Sequence, residues 1–284
     1  MKRYFITGGT GFVGRSIVRE LLKHKDTEQI TCLTRGYRQD LIMDRRVDYV
    51  KGDITDVRFP NKDYTDIIHG ANEANDLLQP DRHAYYYAIV EGTKHLLEWA
   101  EDTSVQRIIY LSSGAVRKGD SAYCRAKRLA ESICNHSTLP VKIARVFSLV
   151  GEEMPLNGQY AIGKFVHQAL KDGEVKLWGG TSIRSYMHVD DCARWIVRIL
   201  DIGDERVIYD VGAERPIWIR DLAYLVGRRY NVPVKMIPTP EGEPHRSAEI
   251  YIPNTNNAKA LGLKETISLE ESLDRVKDYI GAIH

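Results

Sequence analysis

Cysteine is scarce in this chain. Its four cysteines, Cys32, Cys124, Cys134 and Cys192, include no C-x-x-C pair among 284 residues. Neither a disulfide framework nor a zinc site is indicated, no metal is expected, and a reduced cytoplasmic setting is the default. Excess charge of either sign is also missing. The 40 Lys+Arg and 39 Asp+Glu leave a net +1, which gives no electrostatic footprint for nucleic acid or a membrane surface. No apolar run approaches the ~20 residues that span a bilayer. Tyr4-Phe5-Ile6, after Met1-Lys2-Arg3, is too short for the apolar region of a signal peptide. Internal repeats and low-complexity tracts are absent. What remains is 43% hydrophobic and 28% charged, enough for a proper core. The length suits one large α/β unit with a smaller appendage.

The glycines are concentrated where they matter. Thr7-Gly8-Gly9-Thr10-Gly11-Phe12-Val13-Gly14 follows a β-forming run, Lys2 to Thr7, and precedes Val13, Ile17, Val18, Leu21 and Leu22 at helical spacing. Strand, glycine turn and helix in that order open a βαβ dinucleotide site. The glycines permit a tight turn and close approach to a pyrophosphate, and the helix N-terminus offers unpaired N–H groups. The spacing is G-x-x-G-x-x-G, and by itself it also describes a plain strand-to-helix turn.

Further strand-like runs at Gln29–Leu33, Val47–Val50, Asp66–His69, Gln106–Leu111 and Val141–Val146 alternate with helical patterns around 86–100 and 123–133. Repeated β-then-α units predict a doubly wound parallel sheet of the Rossmann type, with ligands at the carboxyl ends of the strands. From about Met154 the pattern loosens, and Arg184–Val189 returns to strand character. The last third is rich in proline and fits a smaller, loop-rich C-terminal α/β substrate lobe. The expected division is 1–153 plus about 185–213 for the dinucleotide-binding part, and about 154–184 plus 214–284 for the lobe. Ser268 and Glu271 form a capping box ahead of a final helix.

A second pattern carries chemistry. Tyr123 and Lys127, at i and i+4, share a helix face, and Ser112-Ser113 end the preceding strand. Tyrosine titrates near ~10 and needs help to exchange protons at neutral pH. A lysine ammonium one turn away favours the phenolate, and a serine hydroxyl can orient a substrate oxygen. Taken alone, Y-x-x-x-K marks a solvated helix face.

With these residues together, the chain resembles the extended short-chain dehydrogenase/reductase superfamily, and within it the NAD-dependent epimerase/dehydratase family that modifies nucleotide sugars. The resemblance runs nearly end to end. It implies catalytic Ser113, Tyr123 and Lys127, with Tyr123 and Lys127 also contacting the coenzyme. Gly8, Thr10, Gly11, Phe12, Val13 and Gly14 resemble the family's cofactor turn. Gly52-Asp53-Ile54 resembles its third-strand segment, where Asp53 would hold the adenine. His69, Gly70 and Ala71 correspond to the fourth-strand end beside the pyrophosphate. Arg184-Ser185-Tyr186-Met187-His188-Val189-Asp190-Asp191 is similar to the family's R-D-[YF]-x-H-V-x-D, whose arginine contacts substrate phosphates; Arg246 is similar to a second such arginine, and Lys164 lies in the expected specificity region with Gln159, Tyr160 and Trp218. Ordinary surface pairing is the alternative role for both arginines.

The departures are as useful. Ser113-Gly114-Ala115 stands where the family's dehydratases carry Thr-Asp-Glu, which argues against an ordinary 4,6-dehydratase. Ile89 replaces a usual asparagine. Only six residues separate Val116 from Tyr123, so the pocket is expected to be more open, or lined by Arg117 and Lys118. At the end of the second strand Leu33-Thr34-Arg35, with Arg38 beyond, lacks the carboxylate that favours NAD. NADP is therefore favoured over NAD. The expected activity is hydride and proton transfer at a carbon of a nucleoside-diphosphate sugar, by a ketosugar reductase or an epimerase. An atypical dehydratase and a non-catalytic NADP-binding redox sensor are the alternatives. The resemblance implies a homodimer formed through helices at about 84–102 and 121–136; neither nucleic acid nor a membrane is expected as a partner.

Overall fold

A computed structural model describes residues 1–36, 41–55, 59–60, 63–71, 86–156, 160–238 and 249–283. Arg38, Gln159 and Arg246 lie outside the described residues.

The chain divides into two compact units, the first formed by 1–146, 192–211 and 255–263 and the second by 147–191, 212–254 and 264–284. In the first, β1 (Lys2–Thr7), β2 (Thr27–Thr34), β3 (Val47–Lys51), β4 (Asp66–His69), β5 (Arg107–Ser113), β6 (Val141–Val146) and β11 (Ile208–Val211) build a seven-stranded sheet in the order β11-β6-β5-β4-β1-β2-β3. Every pairing in it is parallel. The central strands are apolar runs buried along nearly their whole length, as expected where helices cover both faces. Phe5 packs with Phe59, Tyr64 and Trp99 at ring-centroid distances of 6.0, 5.2 and 5.1 Å, so a chain with only five phenylalanines spends two of them on one cluster.

Strand order reverses between β1 and β4, the switch point where doubly wound sheets bind ligands. Helix α1 (Phe12–Leu22) leaves β1 there. A π-type turn, Tyr86–Glu91, leads into α2 (Gly92–Glu101), and α3 (Ala122–His136) follows β5. The seventh strand, β11, is four residues long and contains Asp210; it has no counterpart among the expected strands.

The second unit holds three small sheets: β7 (Leu149–Val150) with β10 (Met187–His188), β8 (Val175–Trp178) with β13 (Val234–Ile237), and β9 (Ile183–Arg184) between β12 (Ile217–Trp218) and β14 (Ile250–Tyr251). Its helices include α4 (Ala161–Lys171), α6 (Ile219–Tyr230) and α8 (Leu269–Ile283), while the short α7 (Asn256–Ala260) belongs to the first unit. The single strand expected over Arg184–Val189 is two short strands in different sheets, and Val189 already begins α5 (Val189–Ile202). The break has a cause. The Asp190 N–H donates to His188 Nδ1, and Asp190 and Asp191 then sit in the first helical turn, where carboxylates are favoured. The buried Asp191 carboxylate accepts from Thr266 N, Thr266 Oγ1 and Ile267 N, tying down the segment before α8. Ser268 caps α8 through the Glu271 N–H at 3.0 Å, while the Glu271 carboxylate engages Arg275.

Candidate active site

The glycine turn sits at the switch point. Gly8 has φ +78°, and a Cβ on it would lie 2.7 Å from Gly70 C and O. The ends of β1 and β4 can approach this closely only because glycine stands at position 8. Gly14 does the second job: its Cβ would lie 2.1 Å from Gly8 O, so α1 packs directly on the turn. Gly11 is the N-cap of α1, without a side-chain cap, and no acidic residue lies in the first turn. The helix therefore presents open N–H groups and a positive dipole end, a cradle that fits the pyrophosphate of a dinucleotide. Thr10, Phe12 and Val13 complete the turn and are partly buried.

Two residues expected at the coenzyme turn their side chains inward. His69 is 2% exposed. Its Nδ1 lies 2.7 Å from Thr7 Oγ1 and its Nε2 lies 2.9 Å from Thr93 Oγ1. The Ala71 N–H donates to Thr7 Oγ1 and the Thr93 hydroxyl donates to Ile89 O. Thr93 must therefore accept from Nε2–H, and Thr7 must donate to Nδ1. The ring is a neutral Nε2–H tautomer, and burial followed by the Lys127 charge pulls its pKa down to about 3. His69 thus bolts β1, β4 and α2 together beneath the turn. Ile54 is likewise a core residue, packed where Gly92 leaves room. Ile89, standing in for an asparagine, is also buried and serves this network through its carbonyl. Asp53 accepts from the N–H and hydroxyl of Thr55, closing a tight turn after β3. Arg35, at the end of β2, is exposed.

Ser113 ends β5 and caps the short 3-10 turn Gly114–Arg117, its Oγ accepting the Ala115 N–H at 3.2 Å. Helix α3 starts on a Ser121 cap and carries Tyr123 and, one turn later, Lys127. Lys127 is 1% exposed. Its Nζ donates to the carbonyl of Leu111, two residues before Ser113, at 2.8 Å and lies 4.7 Å from the Tyr110 ring centroid. The structure thus brings the Tyr123–Lys127 face against the strand end that carries Ser113. Burial pulls the Lys127 pKa down to about 7, against the opposing influence of Cys134 and Glu131.

Arg117, exposed on the turn after Ser113, pairs with buried Asp210 at 2.7 Å. Sequence spacing missed this partner, and it missed Glu131, which holds Ser112 and Arg145 beside the site. All four cysteines are buried and free, and burial raises the thiols of Cys32 and Cys134 to about 12. Among the described residues no His/Cys/Asp/Glu group could hold a metal, and no helix is long and apolar enough to cross a membrane.

In the second unit, Arg184 pairs with Glu249 at 2.6 Å and lies over the Tyr251 ring at 5.5 Å. Lys164 stands 4.7 Å from the Trp178 ring centroid. His188, fully buried, has its Nε2 3.2 Å from Glu152 Oε2.

Residues 4–212 match the model of the NAD dependent epimerase/dehydratase family. UDP-glucuronic acid decarboxylase 6 of Arabidopsis thaliana is 24% identical over 97% of this chain and 88% of its own length. A putative UDP-glucose 4-epimerase of Methanocaldococcus jannaschii is 25% identical over 97% of each. The crystal structure of a dTDP-glucose 4,6-dehydratase from Streptomyces venezuelae with NAD bound superposes with a TM-score of 0.85 at 24% identity, covering 99% of this chain and 97% of that one. These relatives share a fold and differ in outcome. The seven-stranded parallel sheet, the glycine turn at its switch point and the family match across both agree: the chain is an enzyme and belongs to the NAD dependent epimerase/dehydratase family.

Proposed function

We propose that the chain is a nicotinamide-dependent oxidoreductase or epimerase of nucleoside-diphosphate sugars, with Ser113, Tyr123 and Lys127 at the reacting sugar carbon. One observation carries this: the Tyr123–Lys127 face of α3 lies against the end of β5, with Lys127 Nζ bonded to Leu111 O. When bound, the coenzyme accepts a hydride from the sugar carbon or returns one. Tyr123 takes the proton of the sugar hydroxyl as that carbon is oxidised and gives it back on reduction. Ser113 Oγ accepts from Ala115, which leaves its own O–H to hold the sugar oxygen. Lys127, titrating near 7, supplies or takes a proton in support of Tyr123 at the pH where such transfer is most effective.

The turn 8–14, with Gly70 and Ala71 across from it, would hold the pyrophosphate, and Asp53 would face the adenine. Arg35, exposed and with no carboxylate among residues 33–36, favours NADP through its fork of donors. Arg184 would engage the substrate diphosphate and Lys164 its sugar or base, with Arg246 assigned to the diphosphate by resemblance. Gly114 and Ala115 carry no acid or base, which weighs against a dehydratase, and the retained Tyr123 and Lys127 weigh against a non-catalytic sensor. Tyr86, Tyr87 and Leu129, exposed on the π-type turn and α3, suit a homodimer through these helices, which light scattering tests.

Incubation with a panel of UDP- and dTDP-sugars plus NADPH or NADH tests the reading. Stoichiometric loss of nicotinamide absorbance identifies a reductase; product without such loss identifies internal recycling of the coenzyme, and the product's configuration then separates an epimerase from a dehydratase. No product from any nucleotide sugar overturns it.

A further inference from the structure

The α3 face that carries Tyr123 and Lys127 continues one turn further to Glu131, to which the proposed chemistry assigns nothing. Glu131 is 5% exposed. Its Oε1 accepts from Ser112 Oγ at 2.5 Å and from Arg145 Nε at 2.9 Å, and its Oε2 accepts from Arg145 Nη2 at 2.6 Å. Ser112 and Arg145 are register partners across β5 and β6. One carboxylate therefore clamps the carboxyl ends of two neighbouring strands to α3, immediately beside Ser113. The next strand joins in. Arg145 is the register partner of Asp210 on β11, and Asp210 pairs with Arg117, on the turn that follows Ser113. Charges alternate along this path: Arg117, Asp210, Arg145, Glu131, Lys127.

We propose that Glu131 is a positioning residue for the Tyr123–Lys127 pair, fixing α3 on the strand ends and balancing the Lys127 charge inside the core. The groups around Lys127 leave that task to few others. Its own helix supplies Tyr123, Glu131 and Cys134; β4 supplies the neutral His69; β5 supplies Tyr110, α2 Thr93, and Arg145 and Asp210 stand beyond on β6 and β11. The Cys134 thiol, raised to about 12, carries no charge at neutral pH, so Glu131 is the anion on α3 that acts on Lys127. A bidentate guanidinium–carboxylate pair is also the geometry best able to hold a carboxylate in one orientation.

The catalytic meaning of this assignment rests on the proposed function, but its test does not. Lysine 13Cε NMR titration of the coenzyme-free protein, with Lys127 identified by the resonance lost in Lys127→Arg, reads the balance directly. In Glu131→Gln, which keeps the shape and removes the charge, the Lys127 midpoint falls by about one pH unit. Glu131→Asp, which keeps the charge, retains most of the wild-type midpoint. A role confined to packing leaves the Lys127 midpoint where it is in both variants. In the wild-type chain, should Glu131→Gln fail to fold, the Glu131 carboxyl 13C resonance must inflect at the Lys127 midpoint. An unmoved midpoint in Glu131→Gln, or a flat Glu131 trace, overturns the proposal. These readouts hold or fail whether or not any nucleotide sugar turns over.

Discussion

The roles of Gly14 and Gly11 can be separated by adding one methyl group to each. At Gly14 a Cβ would meet Gly8 O at 2.1 Å and Gly9 Cα at 2.6 Å. Both obstacles are backbone, so they cannot rotate aside, and Gly14→Ala should cost about 3 kcal/mol, the upper end of ordinary overpacking. For a chain of this size that lowers the melting temperature by roughly 6–12 °C. At Gly11 the backbone is extended, φ −82° and ψ 174°, and a Cβ meets only Gly8 O, at 3.3 Å. Gly11→Ala should change stability by no more than ~1 kcal/mol, because lost cap preference and reduced unfolded-state entropy nearly cancel. The new methyl stands at the uncapped N-terminus of α1, however, and should weaken NADPH binding about tenfold, or ~1.4 kcal/mol. Thermal unfolding without ligand and fluorescence titration with NADPH measure the two effects separately. Wild-type melting of Gly14→Ala, or wild-type NADPH affinity in Gly11→Ala, would refute the assignment of fold to one glycine and coenzyme to the other.

Three further outcomes follow from the geometry. His69 binds a proton near 6.5 when unfolded but only near 3 when folded, so stability is fully present above 6.5 and falls as pH drops. This one group should remove about 2–3 kcal/mol by pH 4.5, and urea unfolding of His69→Gln should show a correspondingly flatter decline; equal slopes would contradict the locked tautomer. Arg35→Asp should raise the Kd for NADPH at least about tenfold and leave NADH nearly unchanged, since it swaps a phosphate-pairing fork for a repelling carboxylate. A parallel loss for both coenzymes would show that Arg35 does not read the 2′-phosphate. Glu249 occupies the Arg184 guanidinium, and its removal by Glu249→Gln should tighten UDP or dTDP binding up to about fivefold, the scale of a part-exposed ion pair. Weaker binding by calorimetry would mean that Glu249 positions Arg184 rather than competing for it.

Much of this molecule is legible from spacing because parallel strands buried on both faces must be continuous apolar runs. β1, β2, β4, β5 and β6 stand out for that reason, while β3, at the sheet edge with no fully buried residue, shows only in its valines and tyrosine; the glycine turn is marked by the steric demands at Gly8 and Gly14. Short or polar segments are not marked in this way. β11 is four residues with an aspartate inside, and its burial depends on Arg117 arriving from a distant turn. The run Arg184–Val189 looks like one strand, yet the His188–Asp190 hydrogen bond starts a helix within it. Side-chain depth is the other hidden quantity. Spacing by four puts Tyr123, Lys127 and Glu131 on one face, but cannot say that Lys127 is buried deeply enough to titrate near 7. Nor does it distinguish Glu131, gripping Arg145, from the solvated charges that usually fill such positions. His69 points inward because Thr7 and Thr93, 62 and 24 residues away in sequence, meet it from two other elements.

The central claim is that the Tyr123 hydroxyl carries the proton while the sugar carbon changes oxidation state. Tyr123→Phe removes that hydroxyl alone. Stopped-flow absorbance of the variant, with the nucleotide sugar that the wild type turns over, should show a rate lower by about 10²–10⁴ and NADPH affinity within a few-fold of wild type. A rate equal to wild type would contradict the account.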